Sequence, residues 1–568
     1  MKKLFALLLA FAMVLTLFAG CGSTAEESTP APAESEVVET PAPESEAPAE
    51  EIEPEAEESA PAEEAVEEGC TNVVEYPISE DGLTLTIYWQ FHNFLSNFNV
   101  TQDVIPNIPT FVAAEEATGV KLDFVLDGEQ VYGEKIRLMW AAGDYCDLQC
   151  MAEMNYTAGV DAAVEEEVLL DLVPYLEENA PDYLRIMEKH PDFRAELTSA
   201  EGSIVSFSEY CEYYDQGPVI RADWLEQLGL EYPATMDEVT ETARAFKTEL
   251  GVPNAVMWNS DLGTSLAWAG FGVVAPGSSD LSYQIAEDGL TVEASITLDG
   301  ARKALTWMHD ALAEGLCSDD FLSVHAMNYD SFIYANECGI AYGNANILAA
   351  GGAARSGQES YDLRAMPSPL EEEGMVNAVG KVSGGVGASG ISVSALTEHP
   401  EEAIEYMNWL YTEEGILVSN YGVEGEGFVY DENGKPQYTD AVLNNPDGMP
   451  AFVATFVYTS LVGTPYYNTT ERKIASFSSE AEKECISVWT DNNTGTALYQ
   501  GKMTLEESEE YNSLVSDVST FVNEQVLRFV MGERSLDEYD DFLSELEGMG
   551  IGRLVELKQA AYDRYLER

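Results

Sequence analysis

From residue 83 onward the chain repeats one pattern, a short run rich in β-branched and aromatic residues followed by a helical segment. This alternation restricts the fold more than any other feature, because strands alternating with helices pack as a sheet covered on both faces, an α/β fold. Residues 83–90 read as a strand, 109–118 as a helix, 120–126 as a strand, 131–142 as an amphipathic helix and 147–151 as a strand, in βαβαβ order. Residues 166–178 lead into a further helical region, and Ala200-Glu201-Gly202-Ser203 reads as a tight turn between short strands. A second unit opens with a strand at 219–221, a helix at 222–228 ended by Gly229, and a longer helix whose Thr235 and Glu238 form a capping box. Strands are expected at 254–258 and 337–342, with a helix at 300–314 closed by Gly315 between them. A Pro- and Glu-rich crossing (366–373), a Gly-rich run (382–390), a strand (391–394) and a helix (400–411) follow, and the chain ends in a charged helical region from Thr504.

The first 69 residues obey different rules. Lys2 and Lys3 precede fourteen residues, 4–17, that are apolar apart from Thr16, which reads as a secretory leader too short to span a bilayer comfortably. Phe18-Ala19-Gly20-Cys21 resembles the bacterial lipobox, with Phe18 where Leu is usual, so Cys21 is expected to carry diacylglycerol after cleavage behind residue 20. Two or three acyl chains anchor stably where one does not. Residues 22–69 hold seventeen Glu, seven Pro and no Lys or Arg. Such a stretch cannot bury enough apolar surface to offset the entropy of ordering, and with Cys21 it reads as an extended tether over 21–75.

Charge narrows the partners. The formal net charge is −75, and removing the leader (+2) and the tether (−17) leaves −60 on the body. That field repels nucleic acid and anionic headgroups and is compatible with a neutral sugar or a cation. Seven cysteines remain besides Cys21: Cys70, Cys146, Cys150, Cys211, Cys317, Cys338 and Cys485. An odd count argues against a complete disulfide framework and for buried free thiols. Cys146 and Cys150 lack the second pair or the His that a metal set needs, Asp431-Glu432-Asn433-Gly434-Lys435 lacks a full calcium-loop spacing and reads as a hairpin turn, and no cofactor motif is present. The alternatives to a sugar-binding protein are a membrane-anchored glycoside hydrolase, which requires two carboxylates across a bound sugar, a pair that 102 acidic residues leave open, and a binding protein for a peptide or other non-sugar ligand; G-x-S-x-G, H-E-x-x-H and a P-loop are missing. A structural or adhesive surface protein would show repeats, and there are none.

Several segments resemble one family, the extracellular solute-binding lipoproteins of ABC transporters, in particular the large carbohydrate-type, LplA-like group of Gram-positive bacteria. Ala142-Gly143-Asp144-Tyr145-Cys146-Asp147 is similar to the family's small-Gly-Asp-x-Pro-Asp turn, with Cys146 in place of Pro. Residues 169–181 match its Leu-x-Asp-Leu-x-Pro-Tyr-x-Glu-x-x-Ala-Pro run through Leu169, Asp171, Leu172, Pro174, Tyr175, Glu177, Ala180 and Pro181. The most specific match is Arg221-Ala222-Asp223-Trp224-Leu225-Glu226-Gln227-Leu228-Gly229-Leu230, followed by Pro233-Ala234-Thr235-Met236-Asp237-Glu238. Residues 403–411, Glu413-Glu414-Gly415 and Tyr421-Gly422-Val423-Glu424-Gly425 complete it. The resemblance implies a two-lobed, periplasmic-binding-protein-like (type II) fold, with lobe 1 at 76–210 plus 368–450 and lobe 2 at 211–367 plus 451–568. Hinge crossings are then expected near Tyr210, Pro367 and Pro450, with closure around a ligand held between the lobes. The implied partners are a carbohydrate, permease subunits and, through Cys21, the outer face of the cell membrane; the body is expected to be monomeric and not an enzyme.

A sugar offers apolar ring faces and a rim of hydroxyls, so its site needs flat aromatics and hydrogen-bonding side chains at strand ends. Trp89, Phe91 and His92 follow the first strand, Glu153 the third, Trp258 and Asn259 end a strand of the second unit, and Tyr342, Asn344 and Asn346 end a later one. Tyr210, with Tyr213 and Tyr214, falls at an expected hinge, and Tyr466 and Tyr467 in a late loop. Trp89 on one lobe and Trp258 and Tyr342 on the other are expected to form the stacking platform, whereas Trp224, Trp307 and Trp409 read as core.

Overall fold

The computed structural model describes residues 70–258, 266–276, 281–324, 329–348, 352–372, 375, 386–477, 479–492 and 502–567. The leader, Cys21 and the acidic stretch to residue 69 lie outside them. The strands that matter are β1 (Leu83–Phe91), β2 (Val120–Gly128), β3 (Leu148–Cys150), β4 (Ser206–Cys211), β5 (Gln216–Arg221), β6 (Asn254–Val256), β7 (Cys338–Asn344), β8 (Leu363–Ala365), β9 (Val386–Val393) and β10 (Tyr467–Asn468). Helices α1 (Pro109–Thr118) and α2 (Glu129–Ala142) connect β1 to β2 and β2 to β3. Helices α3 (Ala222–Leu228) and α4 (Met236–Leu250) follow β5, and α5 (Asp299–Ala313) precedes β7. Beyond β9 come α6 (Pro400–Trp409) and α7 (Ala451–Tyr458), then α8 (Thr470–Ala475), α9 (Glu480–Asn492), α10 (Leu505–Val530), α11 (Tyr539–Met549) and α12 (Ile551–Leu566).

Two sheets result. The first has the order β10-β4-β9-β3-β1-β2, with β1 parallel to β2 and β3, and β9 antiparallel to β3 and β4. The second has the order β8-β5-β7-β6, with β5 antiparallel to both neighbours and β6 parallel to β7. Each is covered on both faces, as the side-chain period of two requires of a buried strand. On β1, Leu85, Ile87, Trp89 and Phe91 enter one apolar cluster while Tyr88 enters another with Tyr132 and Ile136 of α2. On β5, Val219 and Ile220 likewise point into different clusters.

Local chemistry sets the ends. Gly229 and Gly251 close α3 and α4 with φ of 67° and 73°, a left-handed turn that costs glycine little. Thr235 caps α4 and Glu238 returns the bond, and Thr504 and Glu507 repeat that box on α10. The C-terminal helices α10, α11 and α12 bury Val518, Phe529, Phe542, Leu554 and Leu557 in the core of the second sheet.

The division between lobes departs from expectation at two places: Leu370 bridges to Thr235 and Glu371 pairs with Lys303, so the chain is still with the second lobe beyond Pro367, and the last crossing falls later than Pro450. Residues beyond Pro450 remain with the first lobe: Val453 of α7, Leu461 and Tyr467 belong to its core, and β10 pairs with β4. The chain passes to the second lobe only after Asn468, since Phe477, Cys485, Ile486 and Trp489 pack with Val219 and Ala341. Residues 166–178 lead, as expected, through a 3-10 turn (Val173–Tyr175) and one α-turn (Leu176–Asn179) into a helix at Pro181–Lys189. Pro174 and Pro181 limit each piece. The turn at 199–203 forms through Ser199 N–H to Ser203 O, but only the following strand, β4, is present beside it.

Candidate functional site

Because β9 is antiparallel to both β3 and β4, strands β1, β3, β4 and β10 all end on the same edge of the first sheet. In the second sheet β6, β7 and β8 end where β5 begins. Residues 212–215 join the end of β4 to the start of β5, so both edges meet at this crossing, and strand ends at such an edge are where α/β folds place ligands.

A cavity of about 660 Å³ opens beside it. The first lobe contributes Phe452, Thr455 and Phe456 of α7. Helix α8, which carries the chain between lobes, contributes Arg472, Lys473 and Ser476. The second lobe closes the far wall with Asp330, Asn346 and Arg355.

The apolar part is formed chiefly by Phe452 and Phe456, against which two further phenylalanines pack. Phe94 and Phe98 lie in the 3-10 turn Asn93–Phe98 directly after β1. Phe94 faces Phe452 at 6.5 Å with an interplanar angle of 22° and meets Phe456 at 6.3 Å, while Phe98 meets Phe452 edge-on at 6.0 Å. Phe452 keeps 47% of its surface exposed, which leaves a flat ring available for stacking.

The polar part is preorganised. Lys473 pairs with Asp215 at 2.7 Å, and its ammonium lies 5.2 Å from the ring centre of Tyr213 and 5.4 Å from that of Phe477. Arg472 is buried and donates from Nε to the Tyr438 hydroxyl at 3.1 Å. Burial by itself would lower its pKa, but the phenols of Tyr438, Tyr466 and Tyr213 and the Glu209 carboxylate outweigh that and hold it above the ordinary value. Asn346 is exposed in the turn after β7, where its N–H donates to Asn344 Oδ1 at 2.9 Å. Arg355 lies over the Tyr334 ring at 4.7 Å.

Of the expected site residues that the structure describes, only Asn346 lines this cavity. His92 lies next to the platform, its ring 6.2 Å from Phe94; burial lowers its pKa, with Glu129 pulling the other way. Trp89 and Trp258 are both 0% exposed. Trp89 packs edge-on against Phe111 at 5.4 Å and Phe124 at 6.1 Å, and Trp258 lies tilted against Trp307 at 6.1 Å and Phe321 at 6.0 Å, so the structure gives neither ring a free face. Phe91 belongs to the first core. Tyr342 packs on the second core, its hydroxyl 2.9 Å from that of Tyr214. Tyr210 stacks between His190 at 4.2 Å and Tyr467 at 5.7 Å, and Tyr466 is buried near Arg472. Glu153 accepts from Ser206 Oγ at 2.7 Å, against the first sheet. Asn259 and residues 382–385 of the Gly-rich run lie outside the described residues.

The phenylalanines carried a signal that composition hid. Phe452 and Phe456 are spaced four apart, a spacing that aligns two rings on one face of an α-helix. The seven cysteines are free, and among the described residues no group of three or more His, Cys, Asp or Glu is placed to hold a metal ion. Asp431 closes a hairpin turn by accepting from the N–H groups of Asn433 and Lys435, each at 2.8 Å. No helix among the described residues is long and apolar enough to cross a membrane.

Two covered α/β sheets, exchanged by several crossings and walling one cavity together, define a two-lobed binding-protein fold. The chain belongs to the bacterial extracellular solute-binding protein family, whose model matches residues 101–416. It is 21% identical over 488 residues to the fructooligosaccharide ABC transporter substrate-binding protein FusA of Streptococcus pneumoniae serotype 4, covering 79% of this chain and 86% of FusA. It is 20% identical over 470 residues to lipoprotein LipO of Bacillus subtilis, covering 79% and 87%. Among solved structures, an HMO-binding, ABC-transporter-associated solute-binding protein of Bifidobacterium longum infantis superposes with a TM-score of 0.65 at 16% identity, covering 86% of this chain and 99% of that one.

Proposed function

We propose that this protein is a lipid-anchored receptor that captures a short oligosaccharide in the cavity between its lobes and releases it uncleaved to an ABC importer. The observation that carries the reading is a single cavity bounded by an apolar ring platform from one lobe and hydrogen-bonding groups from the other. That pairing matches the two surfaces of a sugar. At the ~30 Å³ that a water-sized group occupies in a liquid, the cavity admits roughly twenty heavy atoms, about two sugar rings. The names of FusA and the Bifidobacterium protein support the ligand class, and the name of LipO supports the anchor. Cys21 supplies the thiol, and Cys21→Ser is expected to move the protein to the aqueous phase in detergent partitioning; retention of acyl label would reject the anchor.

The ligand is tested by melting curves against a panel of mono- and oligosaccharides, because a ligand that binds only the folded state stabilises it by about 2.7 kcal/mol at a hundredfold excess over Kd. Calorimetry with Phe452→Ala should then show affinity reduced about 5- to 150-fold, the equivalent of ~1 to 3 kcal/mol for one aromatic face. Chromatography of the same sugars after long incubation should return them intact. No stabilisation by any sugar, unchanged affinity in Phe452→Ala, or reproducible cleavage would each overturn the corresponding part of the reading.

A further inference from the structure

The charge of the cavity departs from that of the chain. The protein has 102 acidic side chains against 27 basic ones, yet the charged residues lining this cavity are Arg355, Arg472 and Lys473 against Asp330 and Glu482. Most of these are already engaged. Lys473 is matched by Asp215, Arg472 is buried among three phenols with Glu209 near it, and Glu482 receives the backbone N–H of Ser479 at 2.9 Å.

Arg355 is different. It is exposed at the second-lobe wall, and its guanidinium lies over the ring of Tyr334, whose hydroxyl is fixed by a 3.0 Å bond to Ile347 O. Asp330 shares that wall and, like the Tyr334 hydroxyl, interacts with the Arg355 guanidinium, but among the described residues Arg355 forms no ion pair. A stacked guanidinium keeps its planar fork of donors oriented, and such a fork matches a carboxylate by two parallel charge-assisted bonds, roughly twice as strong as neutral ones. A hydroxyl rim alone leaves that capacity unused.

We propose that the saccharide taken by this cavity contains a uronic acid, with its carboxylate received by Arg355 while a neighbouring ring lies on Phe452. This rests on reading the cavity as a carbohydrate site. The acidic body does not forbid it: charges beyond about 10 Å are largely screened at 0.1 M ionic strength, so the net field slows the approach of an anion while the adjacent guanidinium sets its affinity.

The experiment is calorimetry on the whole folded body with di- and trisaccharides of galacturonic, glucuronic and mannuronic acid, each beside its own methyl ester, which keeps ring and linkage and removes the charge. At least one acid is expected to bind tenfold or more tighter than its ester, and Arg355→Gln should bring the two affinities together. If esters or neutral oligosaccharides bind as tightly as the acids, the uronate proposal is overturned and the carbohydrate reading stands. If an acid is preferred but Arg355→Gln keeps the preference, the role of Arg355 is overturned. If acids, esters and neutral sugars all fail to bind, both readings fall together.

Discussion

Trp89 and Trp258 show how a single side chain is misjudged from its neighbours. Polar residues follow both, which favours a strand end facing solvent, yet Trp89 shares a face of β1 with Leu85, Ile87 and Phe91, and a period of two commits it to their core. The strand alone carried that information. Replacing either tryptophan by Ala should therefore cost on the order of 3 to 5 kcal/mol of folding stability and leave sugar affinity in the remaining folded protein intact. Phe452→Ala should do the reverse, since its ring is half exposed. Denaturant melts and titrations of the three variants check this; a Trp89→Ala protein of wild-type stability and weakened binding would restore that ring to the site. Arg221, at the head of the family-like Arg-Ala-Asp-Trp run, is another residue whose role only the packing explains. It is 0% exposed, bound by both oxygens of Asp223 at 2.8 and 2.7 Å, and enclosed between the rings of Trp224 and Tyr361 at 4.0 and 4.3 Å.

Elements with a strong local signal were readable from sequence almost to the residue. Helices α1 and α3 coincide with their expected bounds, and the box expected at Thr235 is formed. What local signals could not supply were elements made by long-range pairing. Strand β10 is two residues long and exists because Tyr467 and Asn468 reach Tyr210 and Cys211 of β4, which is also why the last crossing falls beyond Pro450. The aromatic platform depends likewise on α7 meeting the turn after β1, far apart in the chain. A pairing of the same kind joins the start of α10 to the end of α12, where Arg564 grips both oxygens of Glu507. Burial pushes the Glu507 carboxyl up, but Arg564 and the Thr504 N–H outweigh it and hold the pKa below the ordinary carboxylate value. A group depressed in the folded state stabilises above its unfolded pKa, near 4.3, and loses that contribution as pH falls through the folded value. Glu507→Gln should thus lower stability by up to about 1 kcal/mol at pH 7, with the deficit shrinking below about pH 4. A deficit unchanged down to pH 3 in melting curves would show that the charge is not what matters there.

At the scale of the whole molecule, the crossings decide what ligand binding can do. The first and third are tied to each other: Glu212 N–H donates to Asn468 O at 3.1 Å, Thr470 N–H donates to Glu212 Oε2 at 3.2 Å, and Lys473 pairs with Asp215 at 2.7 Å. These contacts make the junction one unit on which the two sheets can turn, and the cavity lies against it. A ligand gripping one lobe alone would bind open and closed forms equally and shift nothing, however tight. A ligand touching Phe452 on one side and Asp330 and Asn346 on the other gains contacts only when the lobes approach, and taking closure from one part in a hundred to ninety-nine requires ~5.5 kcal/mol of such difference. Removing the second-lobe wall should therefore separate binding from closure. In solution scattering, saturating sugar is expected to shrink the radius of gyration of the wild type. In Asp330→Ala/Asn346→Ala/Arg355→Ala the sugar should still bind, more weakly, on the phenylalanine platform, while at saturation the radius of gyration stays at its unliganded value. Full contraction of that triple variant at saturation would mean that closure is driven from elsewhere, and the coupling assigned to this wall would be wrong.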